Sequence, residues 1–177
     1  MIRYRLADLS NAMEHAIEVV RVAKPMEAVA PAVLELLGRA AGSERASYWM
    51  SDPEMLRLRA IATWSALTPS APIAERDTGN RTAPMSQGNA GHVWRSRKPL
   101  WWTGLMLVTT PRLALQPGLR GGVWFAVKTD TSVYGVIELL GRALDPKTPD
   151  NLMLLERLGF RLGYALEELR HGKARLH

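Results

Sequence analysis

Gly91-His92-Val93-Trp94-Arg95-Ser96-Arg97-Lys98-Pro99-Leu100-Trp101-Trp102 is the stretch on which the reading of this chain turns, and three later stretches complete it. They are Pro111-Arg112, then Gly118-Leu119-Arg120-Gly121-Gly122-Val123-Trp124-Phe125, then Tyr134-Gly135-Val136-Ile137-Glu138-Leu139-Leu140. In order they predict a short helix over 89–97, a Pro-Leu-Trp-Trp strand, a glycine-marked loop and two apolar strands. The strands, 122–128 and 133–140, are joined by the polar turn Thr129-Asp130-Thr131-Ser132 and read as a hairpin. Both are apolar on both faces, which places them centrally in a sheet covered on each side.

Working outward, Leu6, Leu9, Met13, Ala16 and Val20 step by three and four, so residues 6–22 read as a helix with one apolar seam. Ala23-Lys24-Pro25 breaks it, because proline cannot continue a helix and restricts its predecessor. A second helix presents Val29, Val33, Leu36, Leu37 and Ala40 to a core, with Gly42 as its cap. Residues 46–51 and 56–64 read as a strand pair, and Leu56, Leu58, Ala60, Ala62 and Trp64 alternate with more polar neighbours. Residues 66–85 and 104–119 lack periodicity and read as loops, the second with one helical turn near Arg112. A last helix starts at Thr148-Pro149-Asp150, a cap, a first-turn proline and an acid that complements the dipole. It runs to about His171 with a second seam of Leu155, Leu158, Leu162, Ala165 and Leu169.

The chain has 177 residues, 47% of them hydrophobic and 23% charged, the balance of one globular domain. No apolar run reaches the ~20 residues of a bilayer span, and the first residues do not resemble an export signal, so a cytoplasmic location and no membrane partner are expected. The net charge of +6 comes from basic residues scattered along the chain, which does not point to nucleic acid. There is no cysteine, which removes disulfides, thiolate metal sites, a catalytic thiol and any thioether-linked pigment.

Motifs for phosphate cradling, zinc hydrolysis and nucleophilic catalysis are missing, and no metal site is expected. Gly118-Leu119-Arg120-Gly121-Gly122 lacks the lysine and hydroxyl of a phosphate loop and reads as a tight turn. Among four histidines only His92 stands near aromatic residues. It reads as a partly buried structural histidine before it reads as a ligand donor, and haem ligation ranks below both. Six tryptophans suit either a pocket wall or a plain core. Strand alternation requires Trp101 and Trp102 to face opposite ways. Glu138 interrupts an apolar strand and needs a partner, with Arg112 and Arg120 the candidates, in a structural ion pair or at a ligand.

From Val33 to Arg170 the chain resembles a GAF domain of the bacterial signalling kind. The carrying residues are the four quoted stretches, Ala46-Ser47-Tyr48-Trp49-Met50 and the closing Leu154-Leu155-Glu156-Arg157-Leu158-Gly159. The resemblance implies an α+β fold: a six-stranded antiparallel sheet with helices on one face and a small-molecule pocket on the other. It also implies terminal helices that pair in a homodimer. The chain departs from the family pattern in having His92 where arginine is common, Thr103 or Gly104 where aspartate is, and Leu139-Leu140 where an aromatic pair is. The signature of cyclic-nucleotide binders is missing, and without cysteine covalent bilin attachment is impossible.

The expected division is a dimerisation helix over 1–24, the domain proper over 25–171 and a tail or linker over 172–177. The expected function is non-enzymatic: sensing of an unassigned small molecule beside a kinase, cyclase or activator, or else dimerisation alone. Redox chemistry of the methionine sulfoxide kind uses cysteine, which this chain lacks. Candidate ligand residues are His92, Trp102, Arg112, Trp124 and Glu138. Candidate dimer residues are Leu6, Leu9, Met13, Ala16, Val20, Leu155, Leu158, Leu162, Ala165 and Leu169.

Overall fold

The computed structural model describes residues 6–23, 26–52, 54–66, 82–103, 121–142, 144 and 148–174. Along the chain run α1 (Leu6–Ala23), α2 (Met26–Ala40), β1 (Arg45–Asp52), β2 (Arg57–Ser65), β3 (Thr82–Pro84), α3 (Gly88–Ser96), β4 (Leu100–Thr103), β5 (Gly121–Lys128), β6 (Val133–Gly141) and α4 (Pro149–Ala174). The six strands form one antiparallel sheet in the order β3-β2-β1-β6-β5-β4. The hairpin that is apolar on both faces takes its interior, and β5 is buried along its whole length.

Helices α2 and α4 lie on one face, the helical face, and α1 packs against both of them. Tyr48, Val123, Phe125, Ile137 and Leu139 rise from the sheet into this layer. Close approach of α4 depends on Gly159 and Gly163. A Cβ there would fall 1.9 Å from the Ala126 carbonyl oxygen and 2.0 Å from that of Lys128. The N-terminus of α4 is held as its sequence predicts, the Asn151 amide donating to Thr148 Oγ1 at 3.2 Å. At the end of α2, Gly42 adopts φ 64°, and the Ser43 amide and hydroxyl both donate to the Gly38 carbonyl.

Two expectations are corrected. Leu9, Met13, Ala16 and Val20 of α1 and Leu155, Leu158, Leu162 and Ala165 of α4 are buried in the same core as Phe125 and Ile137, with Leu169 packed against it. Both seams are thus covered by their own chain and are not free for a partner. Spacing of three and four marks a stripe that must be buried, and is blind to which chain buries it. For the same reason α1 is part of the domain rather than a separate helix before it. Leu6 begins α1, with its side chain outside the described set.

The second correction concerns β2. Its apolar residues do not share one face, because the register with β1 slips between Tyr48 and Trp49, leaving Ile61 as an extra residue. Leu58 and Ala60 therefore pack on the far face, whereas Ala62 and Trp64 pack on the helical face. The short edge strand β3, with Pro84 at its end, falls within a span that reads as loop from sequence.

Candidate functional site

On the far face Trp49, Leu58, Ala60, Met85, Ala90, Val93, Ala126, Val136 and Leu140 form a second, smaller core, and α3 packs against β5 and β6. A polar row interrupts it. Strand register sets Thr63 of β2 opposite Ser47 of β1, Ser47 opposite Glu138 of β6, and Glu138 opposite Trp124 of β5. Directly opposed residues project from the same side of a sheet, so the four side chains stand in line over roughly 14 Å, three strand spacings. Trp124 Nε1 donates to Glu138 Oε2 at 2.8 Å. Glu138 Oε1, Ser47 Oγ and Thr63 Oγ1 are buried, with no hydrogen-bond partner among the described residues.

Of the nominated ligand residues, the structure brings together Trp124, Glu138 and Trp102. The Trp124 indole lies over Gly122, where a Cβ would meet the ring at 2.2 Å. Trp102 pairs with Gly122 across β4 and β5 and packs on the same face, while Trp101 turns to the helical face as alternation requires. His92 does not join them. It is exposed, because α3 buries Ala90, Gly91 and Val93, and the intervening position points outward. Arg112 and Arg120 lie outside the described residues, as do both loops' central parts. Among the described residues the partner of Glu138 is an indole N–H. Among the described residues no group of three His, Asp or Glu side chains could hold a metal ion.

Solved structures share this architecture. A GAF domain from a Coxiella burnetii phosphoenolpyruvate-protein phosphotransferase superposes with a TM-score of 0.74 at 13% identity, covering 95% of this chain and 98% of that one. The A. aeolicus nlh2 GAF domain in an inactive state gives 0.70 at 16% identity, with 93% and 98% covered. The fold is that of a GAF domain. The free methionine-R-sulfoxide reductase of Neisseria meningitidis, solved with its substrate, has it too, with a TM-score of 0.72 at 14% identity over 97% of this chain and 98% of that one. No family model matches the sequence. No curated protein matches it either. At these identities the likeness concerns the GAF fold alone.

Within that fold, sequence reading missed a polar clamp at the turn end of the hairpin. Lys128 is 5% exposed. Its ammonium donates to the Arg97 carbonyl at 2.5 Å and to Glu156 of α4 at 2.8 Å, and lies 4.4 Å from the Phe160 ring centre. Arg97 caps α3 in a left-handed conformation, φ 58°, and its guanidinium donates to the carbonyls of Thr129 and Asp130. Tyr164 donates to Asp130 at 2.5 Å and Tyr134 to Glu167 at 3.0 Å. Burial, then the hydrogen bond to Glu167, holds the Tyr134 phenol above its ordinary pKa. The clamp joins α3 on the far face to α4 on the helical face around the sheet's end. A lysine closing an apolar strand was its one visible sign. Ser47 and Thr63 were also missed, since they join Glu138 only through strand register.

Proposed function

We propose that this GAF domain is a regulatory module that binds a small molecule on the far face of its sheet and reports occupancy to α4. The carrying observation is the polar row, above all the buried Glu138 carboxylate with one oxygen unpartnered amid apolar side chains. Buried polar groups are nearly always hydrogen-bonded, so three without partners in one line favour a bound molecule as their complement. The row offers acceptors and hydroxyls on rigid strands but no nucleophile paired with a base, which favours holding a ligand over transforming it. The reductases with this fold are enzymes by name; the reading here is non-enzymatic.

The clamp supplies the route. A ligand that shifts α3 moves the Arg97 carbonyl, which Lys128 ties to Glu156 on α4. Packed elements respond by discrete shifts, and α4, tied to α3 through the clamp, would move with it. A homodimer remains part of the proposal, through the outward sides of α1 and α4 rather than the seams. Exposed Met153 and Tyr164 stand on that side of α4.

Native mass spectrometry of gently purified protein, with tryptophan fluorescence against a metabolite collection, tests the reading. A retained or added small molecule that perturbs the fluorescence supports it. No bound mass and no response would leave a structural module.

A further inference from the structure

The chemistry of the row also specifies what it binds. We infer that the ligand carries a basic nitrogen, an ammonium, amidinium or guanidinium group, that donates to Glu138 Oε1. The inference rests on the sensing proposal and narrows it to a class of molecule.

Glu138 is 4% exposed, and a carboxylate so placed has only acceptor oxygens to offer. Trp124 satisfies one oxygen through a neutral N–H, and among the described residues the charge has no counter-ion. Burying a charge without a partner is costly, and the cost falls sharply when a cation arrives with its own donors. Arg45, two residues before Ser47 and on the same face, has interactions of its own and makes no hydrogen bond to the open oxygen. Indoles add a second preference. Trp102 and Trp124 share this face with the carboxylate, and indole faces attract cations more strongly than other rings do. An anionic ligand would meet Glu138 with like charge, and a purely apolar one would leave three polar atoms unanswered. The hydroxyls of Ser47 and Thr63, one and two strands further along the row, can donate or accept. They suit a polar group on the ligand several ångströms from its cationic end.

The test uses three probes with the same body and different heads: phenethylamine, phenethyl alcohol and 3-phenylpropionate, with agmatine as a guanidinium probe. Binding is read by calorimetry and tryptophan fluorescence on the full chain, Glu138→Gln and Ser47→Ala. Glu138→Gln keeps an acceptor for Trp124 and removes the charge; Ser47→Ala lies beside it and leaves the carboxylate intact. The expected result is that the amine or agmatine binds the full chain, that Glu138→Gln weakens it about thirtyfold or more, and that Ser47→Ala weakens it far less. The alcohol or the carboxylate binding as tightly as the amine, or amine binding indifferent to Glu138→Gln, overturns the cationic assignment and leaves sensing intact. A retained molecule without basic nitrogen in native mass spectrometry does the same. No probe bound and no retained molecule overturns both.

Discussion

The two faces of this sheet are built to different rules. On the helical face long helices cover the strands, the packing is largely apolar, and polar groups such as Ser43, bonded to the Gly38 carbonyl, stand at its margins. On the far face a smaller core surrounds a line of polar atoms, three of them without partners. A fold gains nothing in stability from such atoms. The helical face also carries one, Trp101 Nε1, but on the far face three stand in line, one of them on a buried carboxylate. That row separates the part of the molecule that holds it together from the part that is poised to bind.

The largest contrast should come from adding one methyl group to each face. At Gly163 the new carbon would meet the Lys128 carbonyl, amide and carbonyl carbon, all backbone, so α4 must lift from β5. Gly163→Ala should cost about 3 kcal/mol or prevent folding. At Gly122 the obstacles are the Trp124 ring and Leu140 Cδ2, side-chain atoms that can yield. Gly122→Ala should cost about 1–2 kcal/mol and change the tryptophan emission as the ring leaves Glu138. Urea unfolding of both variants gives the comparison, and equal costs would break it.

Next in size is the clamp that joins the faces. Lys128→Met keeps an unbranched apolar stem against Phe160 and removes the bonds to Arg97 and Glu156. Glu156 is half exposed and regains water, so stability should fall by only about 1–2 kcal/mol. Hydrogen exchange should then report ligand-induced protection on the far face with none passed to α4. Unchanged protection of α4 would mean that the signal, if any, travels elsewhere.

These contrasts also show where sequence was enough. The hairpin of β5 and β6, the Thr148 cap and the opposed faces of Trp101 and Trp102 are local or alternation rules, and each was legible. Glu138 was legible as an anomaly because one charge in an apolar strand needs a reason. Its neighbours Ser47 and Thr63 were not, since the row exists only through the pairing of β1 with β6, ninety or so residues apart in sequence, and through the register of β1 with β2. The bulge at Ile61, which sends the two ends of β2 to opposite faces, leaves no mark in the alternation of its residues. The helical seams misled in the other direction. Their spacing gave the buried stripe correctly, and the stripe found its cover inside the chain.

A smaller effect, opposite in sign on the two faces, is expected from removing hydroxyls. Ser47→Ala and Thr63→Val each delete a buried hydroxyl without a partner, and each should stabilise the fold by up to about 1 kcal/mol. Ser43→Ala removes a bond of 3.1 Å to the Gly38 carbonyl and should cost about 1 kcal/mol. Thermal unfolding in the absence of ligand decides it. Destabilisation by Ser47→Ala would mean that its hydroxyl has a partner after all, and the asymmetry between the faces would shrink to Glu138.

The least effect belongs to the outermost contact of the helical face, the bidentate ion pair of Arg161 with Glu14 between α4 and α1. The Arg161 hydrogen bond, ahead of the general field of nearby cations, lowers the Glu14 pKa from its usual 4.5. A carboxylate whose folded pKa is depressed stabilises the fold above its unfolded pKa, and that contribution fades as pH falls through the folded value. Both side chains are exposed, so water and salt screen the pair. Glu14→Gln should therefore leave unfolding at neutral pH almost unchanged and make the acid limb slightly less steep. The difference should vanish at high salt. A large loss at neutral pH would show that α1 is held by this pair rather than by Leu9, Met13, Ala16 and Val20, and the helical face would no longer be the one held together by apolar packing.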